Sequence, residues 1–200
     1  MKAFTIRCLQ GVMILALLLL GLKPTLAQLF AVDGQGGANS NLYTLDPTTG
    51  AQIATIGSVG FSVRGLAFDT QTGILYGSTS GTSNLITINT TTGAGTLVNA
   101  FSQTLQPITT DPTTNTLYGW STATSSLYTV DKITAAATLV GASGLSTAGA
   151  GLAADPAGTI FLAGNGNDGP LYTIDKTTGA ATFIANLSNA PVIKVRRCPG

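Results

Sequence analysis

Along most of the chain, apolar residues alternate with hydroxyl-bearing ones in runs of four to six. Each run stops at a cluster of Asp, Pro, Thr and Gly. Period-two alternation bounded by turn residues predicts β-strands, and Thr, Val, Ile and Tyr suit a pleated, half-buried surface. The first full stretch predicts strands over Leu42–Leu45, Ala51–Ile56, Val63–Phe68 and Ile74–Ser78, with a loop from Gly57 to Ser62. The stops have a mechanism. In Asp46-Pro47-Thr48-Thr49-Gly50 the Asp accepts backbone N–H bonds, Pro presets φ, and Gly takes the left-handed position that closes the turn. The same chemistry returns at Asp69–Gly73, Thr91–Gly93, Asp111–Asn115 and Lys176–Gly179, and one residue shorter at Asp155–Gly158. No amphipathic helical pattern occurs beyond the N-terminal segment.

The pattern is a repeat. Leu42-Tyr43-Thr44-Leu45-Asp46 returns as Leu85-Ile86-Thr87-Ile88-Asn89, Leu127-Tyr128-Thr129-Val130-Asp131 and Leu171-Tyr172-Thr173-Ile174-Asp175, at spacings of 43, 42 and 44 residues. Gly65-Leu66-Ala67-Phe68-Asp69, Pro107-Ile108-Thr109-Thr110-Asp111 and Gly151-Leu152-Ala153-Ala154-Asp155 keep step with it. So do Leu75-Tyr76-Gly77 and Leu117-Tyr118-Gly119, with Ile160-Phe161-Leu162 as a looser copy. Four short strands at this period match a β-propeller blade, a small sheet that must stack on neighbours to bury its faces. The expectation is an all-β, β-propeller-like fold of about four blade equivalents, each of four short antiparallel strands, with completeness left open.

Leu29–Val32 matches the fourth strand of a repeat and precedes the first full one. Pairing of this strand with the last blade would close a ring and hide a sheet edge. The last unit shows two clear strands, Leu171–Ile174 and Ala181–Ala185, and a doubtful third at Val192–Val195. Where another Gly-Leu-Ala-x-Asp is due, the chain reads Val192-Ile193-Lys194-Val195-Arg196-Arg197-Cys198-Pro199-Gly200. Three readings follow: a truncated or frame-shifted copy of a longer propeller, which is favoured; a compact four-bladed ring; or an arc that completes itself by self-association.

Composition narrows the chemistry. Of 200 residues 44% are hydrophobic and only 8% are charged, with no His and with eight Asp as the entire acidic complement. Lys2 and Arg7, the apolar run Val12–Leu22 and Thr25-Leu26-Ala27 read as a secretory signal peptide over residues 1–27, cleaved before Gln28. Residues 28–190 form the propeller region and 191–200 a divergent basic tail. After cleavage the expectation is a secreted protein, extracellular, cell-surface or periplasmic, with no membrane span. Six Lys and Arg then face eight Asp, and three of the six sit in the tail. That balance argues against nucleic-acid binding. Cys8 leaves with the signal, so Cys198 has no internal disulfide partner.

Without His or Glu, neither a Ser-His-Asp triad nor a His-ligated zinc can be assembled. Asp46, Asp69, Asp111, Asp131, Asp155 and Asp175 end strands in the turn motif, Asp33 ends the N-terminal strand, and the turn role accounts for them. Gly149–Ala154 and Gly164–Gly169 match a dinucleotide fingerprint by spacing, but no helix follows either to present its N-terminus to phosphate. Asn165–Asp168 offers one carboxylate, a poor Ca²⁺ site, and reads as a plain loop between blades. Arg64, Phe61 and Phe101 flank loops that line one rim; solvated or packed positions are preferred for them over ligand contact. Tyr43, Tyr76, Tyr118, Tyr128, Phe161 and Tyr172 recur at blade-equivalent positions and read as packing. Asn89-Thr90-Thr91 and Asn186-Leu187-Ser188 fit the N-glycosylation pattern.

On the Leu-Tyr-Thr-x-Asp, Gly-Leu-Ala-x-Asp and Leu-Tyr-Gly copies, residues 28 to about 190 resemble bacterial exported propellers of the YVTN or surface-layer type. They are similar too to secreted proteins built from Leu-Tyr-Thr-Ile-Asp-Pro-Thr-Thr-Gly-Ala repeats. The Leu-Tyr-x-x-Asp-x-x-Thr-Gly core is also similar to quinoprotein dehydrogenase repeats, but the Trp that follows Thr-Gly in that family is missing from Ala51–Ile56 and Ala180–Ala185. The only Trp, Trp120, lies on another strand, so no quinone cofactor is expected. The resemblance implies an exported, non-catalytic binding or structural module with a protein or glycan partner, no cofactor and no assigned catalytic or metal residues. The alternative is a propeller hydrolase or lactonase using Asp and a divalent metal in the central channel.

Overall fold

The computed structural model describes residues 28–33, 39–146, 149–164 and 169–187. The predicted signal peptide, the Asn165–Asp168 loop, the possible strand at Val192–Val195, Cys198 and the basic tail lie outside them. Fifteen strands and no helix make up the described chain. β1 (Leu29–Val32), β2 (Asn41–Leu45) and β3 (Gln52–Ser58) form a first sheet. The second holds β4 (Val63–Asp69), β5 (Ile74–Thr79), β6 (Asn84–Ile88) and β7 (Gly95–Ala100). The third is β8 (Ile108–Thr110), β9 (Leu117–Ser121), β10 (Ser126–Val130) and β11 (Ala137–Ala142). The fourth is β12 (Gly149–Ala154), β13 (Ile160–Gly164), β14 (Pro170–Ile174) and β15 (Ala181–Asn186). Every pairing is antiparallel between consecutive strands. The fold is a β-propeller of four blades, with β4, β8 and β12 innermost.

The repeat and the blade are out of phase by two strands. Each sequence repeat begins at a Leu-Tyr-Thr strand, yet a blade begins at the following Gly-Leu-Ala strand, so every repeat straddles two sheets. Two expectations are corrected by this offset. Leu29–Val32 pairs with β2 of its own sheet, Phe30 opposite Thr44 and Ala31 opposite Tyr43, and not with the last blade. The fourth sheet carries all four strands, and among the described residues the short one is the first, which has no inner strand. A four-strand periodicity looks the same whichever strand is counted first; hydrogen bonding decides where a sheet starts.

Packing follows the stacking argument. Leu42, Val59, Val63, Leu75, Ile86 and Ile88 bury one core between the first and second blades. Leu85, Leu105, Ile108, Leu117, Tyr128 and others fill the second, and Tyr118, Trp120, Leu127, Ile160, Leu162 and Ile174 the third. Tyr76, Tyr118, Tyr128 and Tyr172 belong to these cores as the repeated aromatic positions suggested, but Tyr43 and Phe161 do not. Trp120 is fully buried, and its Nε1 has no hydrogen-bond partner among the described residues. Backbones also meet closely across blades. A Cβ on Gly141 would collide with the Thr178 carbonyl of the next blade, so only glycine fits that bulged position.

Candidate functional site

In an antiparallel meander, alternate connections lie at the same end. The seven Asp- or Asn-initiated turns after β2, β4, β6, β8, β10, β12 and β14 therefore gather at one end of the propeller. The crossings between blades lie at the other. The turns are built as the sequence implied. Asp46 accepts the amides of Thr48 and Thr49, Asp69 those of Gln71 and Thr72, and Asn89 those of Thr91 and Thr92. Asp131 and Asp175 do likewise, and the shorter Asp155 turn uses the Thr159 amide. Gly50, Gly73, Gly93 and Gly179 close turns at positive φ, Asn115 does so at 57°, and Ala135 is forced into the same region at 57°.

Two of these carboxylates have a second partner that local reading missed. The residue after Asp131 is Lys132, whose Nζ reaches back one blade to Asp69 Oδ2 at 2.7 Å and also contacts Asn115. One blade further on, Lys176 donates to Asp111 Oδ2 at 2.6 Å. Asp69 and Asp111 are buried while the lysines remain partly exposed. Burial alone would raise both carboxyls. The lysine ammonium, together with turn hydroxyl and amide donors, overcomes it and holds Asp111 well below the usual carboxylate range, and Asp69 below it as well. Lys176 is correspondingly raised by its bond to Asp111. Asp175 is lowered to about 2 by the Thr177 hydroxyl and amide and the Thr178 amide. The signal for these clamps was present in the sequence: Lys132 and Lys176 are two of the three basic residues between Gln28 and Pro191, and both follow the repeat Asp.

At this same end the inner strands frame a cleft of about 490 Å³. Its walls are Leu66–Phe68 of β4, Thr109 and Thr110 of β8, and Leu152–Ala154 of β12, with Thr70, Pro112, Asp155 and Pro156 at the mouth. The volume falls within the usual range for ligand sites. Phe68 is 42% exposed there and touches Phe30 of β1, ring centroids 5.9 Å apart. The Thr110 hydroxyl donates to the Phe68 carbonyl at 2.6 Å and ties β8 to β4. Of the three inner-strand carboxylates, Asp69 and Asp111 each spend one oxygen on their turn and the other on a lysine. Among the described residues Asp155 has no such ion pair; it faces the cleft with one oxygen on its turn amide. Chemically this is an apolar floor with hydroxyls and one carboxylate at its rim, suited to holding a ligand.

The other residues considered from sequence lie elsewhere. Phe101 is buried in the second core and Phe61 packs against the first, while Arg64 is exposed at the crossing end. The preferred packed-or-solvated reading describes all three. Asp33 lies at the crossing end too, where it accepts from the Asn41 amide and the Tyr43 hydroxyl.

No family model matches the chain, and no curated protein matches it. Solved structures do. The chain is similar to a protein of unknown function from Bacteroides thetaiotaomicron, with a TM-score of 0.61 and 16% identity, covering 78% of this chain and 44% of that one. A chain in a nidogen/laminin complex aligns with a TM-score of 0.60 and 16% identity over 80% of this chain and 61% of its own. A chain of Kuenenia stuttgartiensis hydrazine synthase aligns with a TM-score of 0.54 and 12% identity over 80% of this chain and 46% of its own. At these identities the likeness concerns fold alone. The chain spans about half the length of the structures it matches, and the shared architecture is the β-propeller.

Proposed function

We propose that this is an exported, non-catalytic propeller that binds a protein partner outside the cell through the cleft at its turn end. The observation carrying the reading is the cleft itself, where a half-exposed Phe68, three threonines and the Asp155 carboxylate converge on one opening between β4 and β12. Clefts that combine apolar area with a few convergent polar groups are the usual seat of binding. The N-terminal pattern of Lys2, Arg7, Val12–Leu22 and Thr25-Leu26-Ala27 supports export, as does the likeness of the repeats to exported YVTN-type propellers. A neighbour of the same fold occurs in a nidogen/laminin complex, which supports a protein ligand over a small metabolite.

The test is site-resolved crosslinking in the native host. A photoreactive residue replaces Phe68 in one strain and the exposed Leu139 of the outer strand β11 in another. Crosslinking to the same polypeptide from position 68 but not from 139, on a chain recovered outside the cell and beginning at Gln28, is the expected result. Equal labelling from both positions, or a chain retained in the cytoplasm with its first 27 residues, would overturn the reading.

A further inference from the structure

Lys132 is held by more than its ion pair. Its Nζ stands 2.7 Å from Asp69 Oδ2, 2.6 Å from the side-chain oxygen of Asn115 and 2.7 Å from the Asn115 carbonyl. Three separate elements meet there. Asn115 closes the turn after β8, Lys132 lies in the turn after β10, and Asp69 ends β4 of the neighbouring blade. The place is sheltered: the Asp69 side chain is 1% exposed and that of Lys132 19%, and the Tyr76 ring centroid lies 5.8 Å from Nζ. Asn115 Cγ sits one C=O bond beyond Oδ1, so it is at most about 3.8 Å from Nζ. That is close to the separation from which a positioned nucleophile attacks. An amine, a carboxamide and a buried carboxylate gathered at one point are the parts of a transamidation, the carboxylate serving to move protons.

The other clamp lacks one of these parts. Lys176 donates to Asp111 Oδ2 in the same way, but the turn position matching Asn115 is Gly158, which has no side chain. Nor does the turn itself call for Asn. Most sister turns close with Gly at positive φ, which suits that backbone better than Asn115 at 57°.

We propose that Lys132 and Asn115 become joined by a side-chain amide, with Asp69 as the proton carrier. Asp69 takes one of the three Nζ protons, and the freed lone pair adds to Cγ of Asn115. A second Nζ proton passes to Nδ2 and the Cγ–Nδ2 bond breaks. The nitrogen leaves as ammonia and collects the proton from Asp69 to become ammonium. The new Nζ–Cγ amide keeps one N–H, and no oxidant or further reactant takes part. The ion pair is the state before the reaction. Because that pair is charged at rest, the amide accumulates slowly in the folded chain. The cross-link joins residues 17 apart and encloses β9 and β10 of the third blade, while its proton carrier comes from the second. The reaction therefore waits until the two blades have stacked. It does not depend on the binding function proposed above.

The test is intact mass and peptide mapping of the purified whole chain, fresh and after storage at mildly alkaline pH, where more of the amine is neutral. The expected result is the loss of one ammonia, growing with storage, and a branched peptide linking residue 132 to residue 115. Lys132→Arg keeps a cation on Asp69 but supplies no amine, so no linked peptide should form. Asn115→Gly, the residue of the sister turns, should prevent it as well. Asp69→Ser, which can still cap its turn, should slow linkage at least tenfold. Lys176→Arg should leave the rate unchanged.

A stored parent chain with no linked peptide would overturn the proposal. So would an ammonia loss that persists undiminished in Lys132→Arg, because it would then come from cyclisation of an Asn side chain or of Gln28 at a processed N-terminus. Linkage at the parental rate in Asp69→Ser would remove the proton carrier and with it the mechanism. If Asp69→Ser does not fold, the comparison of the parent with Lys132→Arg decides.

Discussion

The junctions on either side of the third blade and the junction between the first two are held by different chemistry. Lys132 clamps the third blade to Asp69 of the second, and Lys176 clamps the fourth to Asp111 of the third. At the equivalent place on the second blade stands Thr90, and among the described residues the first sheet offers no inner-strand Asp for it to meet. There the seal is made by backbone. The fully buried Ser40 donates its amide to the Phe61 carbonyl, accepts from the Val59 amide, and receives the Val63 amide on its hydroxyl, while the Gly95 amide crosses the junction to the Val59 carbonyl. Neutral amides cross the last junction too, Ala181 donating to the Ser143 carbonyl, so what sets the two later junctions apart is the added pairing of buried carboxylates with lysines. The pairing responds to pH and charge removal; the amides do not.

The largest expected effect comes from removing Asp111. Asp111→Ala takes away the partner of Lys176 and the acceptor of the Thr113 amide and hydroxyl, inside a site with no solvent exposure. A loss of about 3 kcal/mol is expected, as for breaking a buried pair together with a turn cap. Chemical denaturation followed by the fluorescence of Trp120, the sole Trp and buried beside this junction, measures it. Replacing the lysines costs less because they are partly exposed. Lys176→Met and Lys132→Met should each lose roughly 1–3 kcal/mol, between exposed and buried pairs. Thr90→Lys, its counterpart at the first junction, should change stability by less than about 0.5 kcal/mol, because no inner-strand carboxylate awaits it among the described residues.

Acid separates the two kinds of lock more finely. Asp69 and Asp111 have folded-state pKa values depressed below those of the unfolded chain. The unfolded chain therefore binds more protons in the acid range, and the stability they contribute is present above the ordinary carboxylate pKa of about 4 and is lost as pH falls below it. The double Lys132→Met, Lys176→Met chain should show a shallower loss between about pH 4 and pH 2 than the parent, because its carboxyls are depressed less. An unchanged slope in denaturant titrations would mean that the turn amides alone set those pKa values. A small gain, where the other changes bring losses or none, is expected at Ala135, buried in the second core at φ 57°. Its counterparts at the other two junctions are Gly93 and Gly179, so Ala135→Gly should relieve strain and gain up to about 1 kcal/mol in midpoint shift, offset in part by the lost methyl.

How much of this was legible depended on distance along the chain. The strands and turns were readable because alternation, Asp caps and left-handed Gly or Asn act within five residues; Asn115 was recognised as a turn closer for that reason. The interblade role of Tyr76, Tyr118 and Tyr128 was readable from repetition alone. The lysine clamps were not, because their partners lie 63 and 65 residues away and blade stacking alone brings them together. The blade boundary was misplaced by two strands because periodicity has no origin. That shift led to pairing Leu29–Val32 with the last blade, when it is the second strand of the first. The cleft draws on three repeats at once, so no single motif announces Phe68 or Asp155 as neighbours.

Denaturation of the parent and of the double Lys132→Met, Lys176→Met chain at a series of acid pH values, followed by Trp120 fluorescence, tests most directly the claim that charge locks the two later junctions. The parent is expected to lose more stability than the double variant between about pH 4 and pH 2. Equal losses in the two chains would contradict the claim, because the lysines would then contribute nothing to keeping Asp69 and Asp111 ionised.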